Sequence, residues 1–187
     1  MGMIKNIAHV IVSPQDGWET VNMSDCRTQD LLSKAFYPLL GVLALSSFVP
    51  MIAYDHTITL AQSLTGAMIA FFSYFVTYFV AVQVLGMAFP ELVNTKVASD
   101  RLSDYVLYNL IILVLVSIVR NILPTDFMPI AIMGFLYVPW VAYRGTAYLG
   151  AKGQRAVKIA ILGSALMLGL PLFLSYVMTS QLIIKEG

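Results

Sequence analysis

Cysteine, histidine and charge are all scarce in this sequence, and each shortage removes a class of function. The one cysteine, Cys26, excludes an internal disulfide and leaves the redox compartment open. The two histidines, His9 and His56, cannot make a catalytic zinc site, which needs three protein ligands, and no HExxH motif accompanies them. Charged residues make up 11% of the 187-residue chain, against about 25% in an ordinary soluble domain. A net charge of +1 gives no footing for a nucleic-acid partner. Phosphate-loop and nucleophile-elbow motifs are missing: KGQRAVK is a basic helix entry, and Ser164 in ILGSAL has no base to activate it. The expectation is a protein without catalytic residues, bound metal or cofactor. No cleavable signal is expected either, since Lys5 precedes only a short apolar run, and Asn6 stands where a myristoylation pattern needs Ser or Thr.

What the sequence has in abundance is apolar length. Hydrophobic residues are 59% of the chain and gather in five stretches, at 35–54, 60–89, 105–123, 127–143 and 159–179. A helix needs about 20 mostly apolar residues to cross a bilayer core. Four stretches fit that length, and the second must tilt or run on into the interface. The sequence therefore predicts an all-α, polytopic bundle of five transmembrane helices over 35–187, preceded by a cytoplasmic amphipathic tail over 1–34. Under this count Lys5, Arg27, Lys34, Lys96, Arg101, Arg144, Lys152, Arg155 and Lys158 share one side, and only Arg120 and Lys185 fall on the other. Cytoplasmic loops carry the excess of Lys and Arg, so the N-terminus is expected in the cytoplasm and the C-terminus outside.

The tail has its own pattern. On a helix, Ile4, Ile7, Ala8, Ile11 and Val12 fill one arc, with Lys5, Asn6 and His9 opposite, which predicts a segment lying in the headgroup plane. Ser13, Pro14 and Asp16 then read as the start of a second helix with a capping box. Trp18, one turn on, is expected at the membrane interface, completing an anchor with Ile4, Ile7 and Ile11. This surface either anchors the first span or recruits a partner.

Within the spans, helix packing is expected through small residues, because lipid gives helices no hydrophobic reason to associate. Gly66, Ala70, Ser73 and Thr77 form one such face, opposite an aromatic stripe of Phe71, Tyr74, Phe75, Tyr78 and Phe79. Ala156, Ala160 and Ser164 form another. The aromatic stripe reads as lipid contact or as a ligand groove. Pro38, Pro50, Pro129, Pro139 and Pro171 punctuate the spans and are expected to shape them. Arg120 is the only ionised side chain inside the stretches. It is expected either to snorkel or to pair with Asp126 across the turn NILPTD, and the two are the candidate functional charges. The polar side chains left to line a pore are Gln83, Asn109, Ser117 and Asn121.

Three features together resemble the Yip-domain membrane proteins, named in eukaryotes for interacting with Ypt/Rab GTPases. They are the HVIVSPQDGWETV tail, the five-span layout, and the connection PWVAYRGTAYLGAKGQRAVKIA with its Trp140, Gly145 and Ala156. Of the eukaryotic DLYGP signature only Tyr37 and Pro38 are present, in SKAFYPLL, which points to the prokaryotic-type branch rather than to GTPase binding. The resemblance implies a role in membrane organisation, trafficking-like processes or scaffolding in a bacterial inner membrane. Its expected partners are the lipid bilayer, other membrane proteins or further copies of itself. The alternative is a small-solute channel or permease built as a homo-oligomer.

Overall fold

A computed structural model describes residues 2–24 and 27–186, with side chains described at all of these except 125 and 181–186. Cys26 therefore lies outside the described residues. The described chain is helical throughout, without strands.

Helices α1 (Met3–Val12) and α2 (Pro14–Asn22) form a hairpin hinged at Ser13. Pro14 opens α2, where its missing N–H costs nothing. The expected capping box is not formed, because the Ser13 hydroxyl donates to the Asp16 carboxylate itself at 2.8 Å rather than accepting from an amide.

The next helix begins inside what the sequence assigns to the tail. It runs through α3 (Thr28–Leu31), a π-helical stretch (Leu32–Phe36), α4 (Tyr37–Ser46) and α5 (Val49–Ala53). Hydrophobicity marks the bilayer core and not the helix end, and Asp30 and Lys34, four residues apart and 2.7 Å from each other, support the added turns. Pro38 explains the π stretch. It has no N–H to return to the turn before it, and Tyr37 N–H bonds instead to the Leu32 carbonyl five residues back. Helix α4 ends at Ser46, the chain turns at Ser47 and Phe48, and Pro50 sits in the first turn of α5, where its missing N–H costs nothing.

Helix α6 (Leu60–Ala88) starts at a complete capping box, Thr59 with Gln62. Helix α7 (Lys96–Ile122) is capped by the Thr95 hydroxyl and again starts before its apolar stretch. Helices α8 (Met128–Gly145) and α9 (Gly153–Glu186) follow, with Pro139 and Pro171 inside them.

Among the described residues four helical spans are long and apolar enough to cross a membrane: 28–53, α6, α7 and 153–180. The expected fifth, α8, is not among them. It has 18 residues, roughly 27 Å at 1.5 Å per residue, and its apolar run is broken by Pro139 and closed by Arg144.

Helix α7 is the axis of the bundle. It is buried without interruption from Asp104 to Val114, and α4, α6, α8 and α9 surround it. A helix apolar on every side belongs in such a position. The outer helices turn Leu45, Phe72, Leu136 and Tyr176 outward, exposed. Gly145 lies against Tyr105 and Gly134 against Val116, so α7 and α8 run antiparallel. Gly86 near Leu102 and Tyr74 bonded to Ser117 set α6 antiparallel to α7.

Candidate functional site

The hairpin of α1 and α2 is docked onto one end of this bundle by Trp18. The side chain is 2% exposed, and its ring lies 5.5–5.8 Å from those of Tyr105, Tyr108 and Tyr148 in tilted and edge-on contacts. Its indole N–H donates to the Val141 carbonyl at 3.2 Å. Trp18 is thus a core residue and not the interfacial anchor its sequence position suggests. Around this lock, Tyr148 donates to Asp104 at 3.1 Å, and the Arg101 guanidinium sits over the Tyr148 ring. Burial, with the adjacent Asp104 carboxylate, pushes the Tyr148 phenol well above its ordinary pKa.

The rest of the expected anchor divides. Ile4 is 77% exposed, while Ile7 and Ile11 are half-buried and pack on the core. Asn6, expected on the polar arc, is fully buried, with neither amide atom partnered. Docking explains the change: the hairpin turns Asn6 and Val10 inward and leaves Ile4, Ala8 and Val12 outward. Tyr137 of α8 donates to the Ile11 carbonyl at 2.7 Å, satisfying an acceptor that the end of α1 leaves free. The Thr20 hydroxyl donates to the Asp16 carbonyl, so its oxygen is left to accept from His9 Nδ1. His9 thereby ties α1 to α2, and His56 sits exposed in the α5–α6 loop.

Of the expected packing residues, Ser73, Thr77, Ala156, Ala160 and Ser164 are buried, and α6 and α9 share the most extensive contact of any helix pair. Ala70 is partly buried. Gly66 departs from the expectation, since a Cβ added there would meet nothing within 4 Å. The aromatic stripe is not a groove. Tyr74 and Tyr78 turn inward, while Phe71, Phe75 and Phe79 contact one another along a partly exposed face.

A cavity of about 500 Å³ does exist, on the inward side of that helix and at the end of the bundle away from Trp18. Helices α4, α6, α7, α8 and α9 all contribute to its wall, which is mainly apolar, from Leu43, Leu113, Phe135 and Met167. Its polar groups are few. Tyr74 and Ser117 share a hydrogen bond of 2.6 Å, and Asn121 donates to Ser46 at 3.0 Å. Ser73 has a buried hydroxyl without a partner. Arg120 lines the same space.

Of the two arrangements expected for Arg120, the pair with Asp126 is absent: among the described residues Arg120 forms no ion pair, and both Arg120 and Asp126 are exposed. The four polar residues proposed for a pore do not share a path. Asn109 is turned back onto the Tyr105 carbonyl at 2.8 Å, and Gln83 is exposed outside. Among the described residues no cluster of His, Cys, Asp or Glu could hold a metal ion.

Sequence reasoning missed the partners of Trp18 and the cavity. The first could not be read locally, because two of the tyrosines lie within α7 and the third follows α8, so that Trp18 and Tyr148 meet across 130 positions of sequence (148 − 18). Compared with known proteins, the chain matches no family model, no curated protein and no solved structure.

Proposed function

We propose that this is a non-catalytic integral membrane protein of Yip-domain type that presents a folded N-terminal hairpin to membrane partners. The observation that carries the reading is the Trp18 lock, which holds α1 and α2 as a fixed platform rather than a loose tail. A pre-ordered surface binds without the entropy cost of ordering a disordered one. On this platform Ile4, Val12 and Met23 stay exposed, and Gln15, Glu19 and Asn22 of α2 share a surface recess with Arg101 and Arg144. Arg144 is itself held over the Trp140 ring at 4.5 Å.

In this proposal α8 is the fifth span and the hairpin is cytoplasmic. Support comes from connectivity. Helix α7 runs away from the Trp18 end, and α9 starts back at that end, where Arg155 pairs with Glu91 of the α6–α7 loop. The intervening chain must cross the bundle, and α8 is the segment that does so. A roughly 27 Å helix needs only slight local thinning of a ~30 Å core. The basic residues of the Trp18 end then face the cytoplasm of a bacterial inner membrane.

The test combines topology with capture in intact cells. In a Cys26→Ser background, Asp126→Cys should react with an impermeant thiol reagent from outside, and Gly150→Cys only after the membrane is opened. Photo-crosslinking groups at Ile4 and Val12 should each yield the same discrete protein adduct, lost when Trp18→Ala releases the hairpin. Reversed labelling overturns the topology, and adducts with lipid alone overturn the platform. The homo-oligomeric channel is the second reading, favoured only by Ser117 and Asn121 in the cavity wall.

A further inference from the structure

We infer that the cavity between α4, α6, α7, α8 and α9 is a binding site for one anionic phospholipid of the surrounding bilayer, its acyl chain inside and its phosphate on Arg120. The inference is independent of the platform proposed above.

Size and lining come first. A space of about 500 Å³ lies within the range of pockets that enclose small ligands. Its wall combines Leu43, Leu113, Phe135 and Met167 with a single charged group. An interior of this kind solvates hydrocarbon well and a water column poorly, because an apolar wall offers water no partners. Neighbouring acyl chains can enter such a space between helices without crossing water.

Charge comes second. Arg120 lies in the last turn of α7, at the end of a membrane-crossing helix, where a phospholipid phosphate would lie if its chain occupied the cavity. Arginine meets phosphate with two parallel hydrogen bonds, and those bonds are stronger than neutral ones. The guanidinium has no carboxylate to satisfy it among the described residues. A zwitterionic headgroup would bring a cation beside this cation, so a net negative lipid is preferred.

The third observation is Ser73. Its side chain is 2% exposed, lines the cavity, and has an unpartnered hydroxyl. Buried polar groups without partners are uncommon and need an explanation. A glycerol-ester carbonyl deeper than the phosphate is an acceptor of the right kind for that hydroxyl.

The test uses the full-length chain in mild detergent, titrated with lyso-phosphatidylglycerol and with lyso-phosphatidylcholine, with bound lipid counted by native mass spectrometry. The wild type should hold one lyso-phosphatidylglycerol per chain, preferred over the choline lipid by about five- to ten-fold. Arg120→Gln should bring the two lipids to parity, and Arg120→Lys should keep most of the preference. Ser175→Phe, at a partly exposed wall position, should reduce retention of both lipids together. The melting temperature of each variant reports folding separately. Wild-type binding without headgroup preference overturns the inference, as does a preference that survives in folded Arg120→Gln. Undiminished retention in Ser175→Phe places the lipid elsewhere and overturns it too.

Discussion

Gly145 on α8 is the floor on which Trp18 of α2 rests: a Cβ added to Gly145 would lie 2.6 Å from the indole Cε2. The same atom would lie 2.9 Å from the Tyr105 ring, so the indole cannot slide aside towards α7. Glycine is required here for close approach and not for a special backbone angle. Gly145→Ala is therefore expected to lift the hairpin off the bundle, with a destabilisation of about 1–3 kcal/mol as for other overpacked sites. Fluorescence in a Trp140→Phe background should shift to the red as Trp18 gains water. An unmoved spectrum and melting temperature would show that the lock has slack.

Gly17 and Gly66 make opposite predictions for the same substitution. A Cβ on Gly17 would lie 2.5 Å from Val10 Cα and 2.8 Å from the His9 carbonyl carbon. Those are backbone atoms of α1 and cannot rotate away, so Gly17→Ala should cost at least about 3 kcal/mol by forcing the hairpin open. Gly66→Ala meets nothing within 4 Å. It should stabilise α6 by about 0.5–1 kcal/mol through reduced backbone entropy in the unfolded chain. Detergent melting curves compare the two directly, and a Gly17→Ala variant as stable as the wild type would contradict the close approach of α1 and α2.

How legible each part was follows from how local its cause is. The faces of α6 were readable because a 3.6-residue period depends only on neighbours, and Ser73 and Thr77 are buried as that period requires. The starts of α3 and α7 were not readable from hydropathy, since both helices extend beyond the apolar stretch into polar turns, the one in α7 capped by Thr95 and the one in α3 carrying the Asp30–Lys34 pair. Pro38 could be read as a disturbance, but its outcome as a π stretch needed the Tyr37-to-Leu32 bond. Trp18 was misplaced because an indole with one polar atom suits a headgroup region or an aromatic pocket equally well. Only Gly145, Tyr105 and Tyr148, brought together by the fold, decide between them. The cavity draws on five helices, and no pattern within a single helix announces it.

Helices α6 and α9 pack closely and each buries small side chains, and enlarging these should separate the helices. Thr77 is fully buried and Ala160 is 6% exposed. Leucine at either position should lower stability by about 1–3 kcal/mol, because neighbouring backbones would be pushed apart. Phe72→Leu, on the exposed side of α6, should change it by less than about 0.5 kcal/mol. Equal tolerance at all three positions would mean that α6 and α9 do not pack through these residues.

Tyr74 and Ser117 form a buried hydroxyl pair at 2.6 Å, and a double-mutant cycle should expose their coupling. Ser117→Ala leaves the Tyr74 hydroxyl without its bond, at a cost of about 1–3 kcal/mol. Tyr74→Phe is expected to be milder, since a helical serine can turn its hydroxyl back to its own backbone. The double variant should be close to the milder single one. Strict additivity in thermal or denaturant unfolding would show that each hydroxyl finds another partner.

Asn6 is the most unusual buried group in the hairpin. It is fully enclosed, and neither its amide nitrogen nor its carbonyl oxygen has a hydrogen-bond partner. Burying an amide without compensation costs about 1–3 kcal/mol on the scale of protein substitutions. Leucine has the same branched outline and no polar atoms, and although it is bulkier it sits comfortably in a helix interior. Asn6→Leu should therefore raise the stability of the docked hairpin, seen as a higher melting temperature in detergent with Trp18 fluorescence still blue. Asn6→Asp should do the reverse and more strongly, because a carboxylate in the same place has neither solvent nor a cation to meet it. Destabilisation by leucine would reveal that the amide is satisfied after all, and the polar arc read from the sequence would then regain its meaning as a contact surface inside the hairpin.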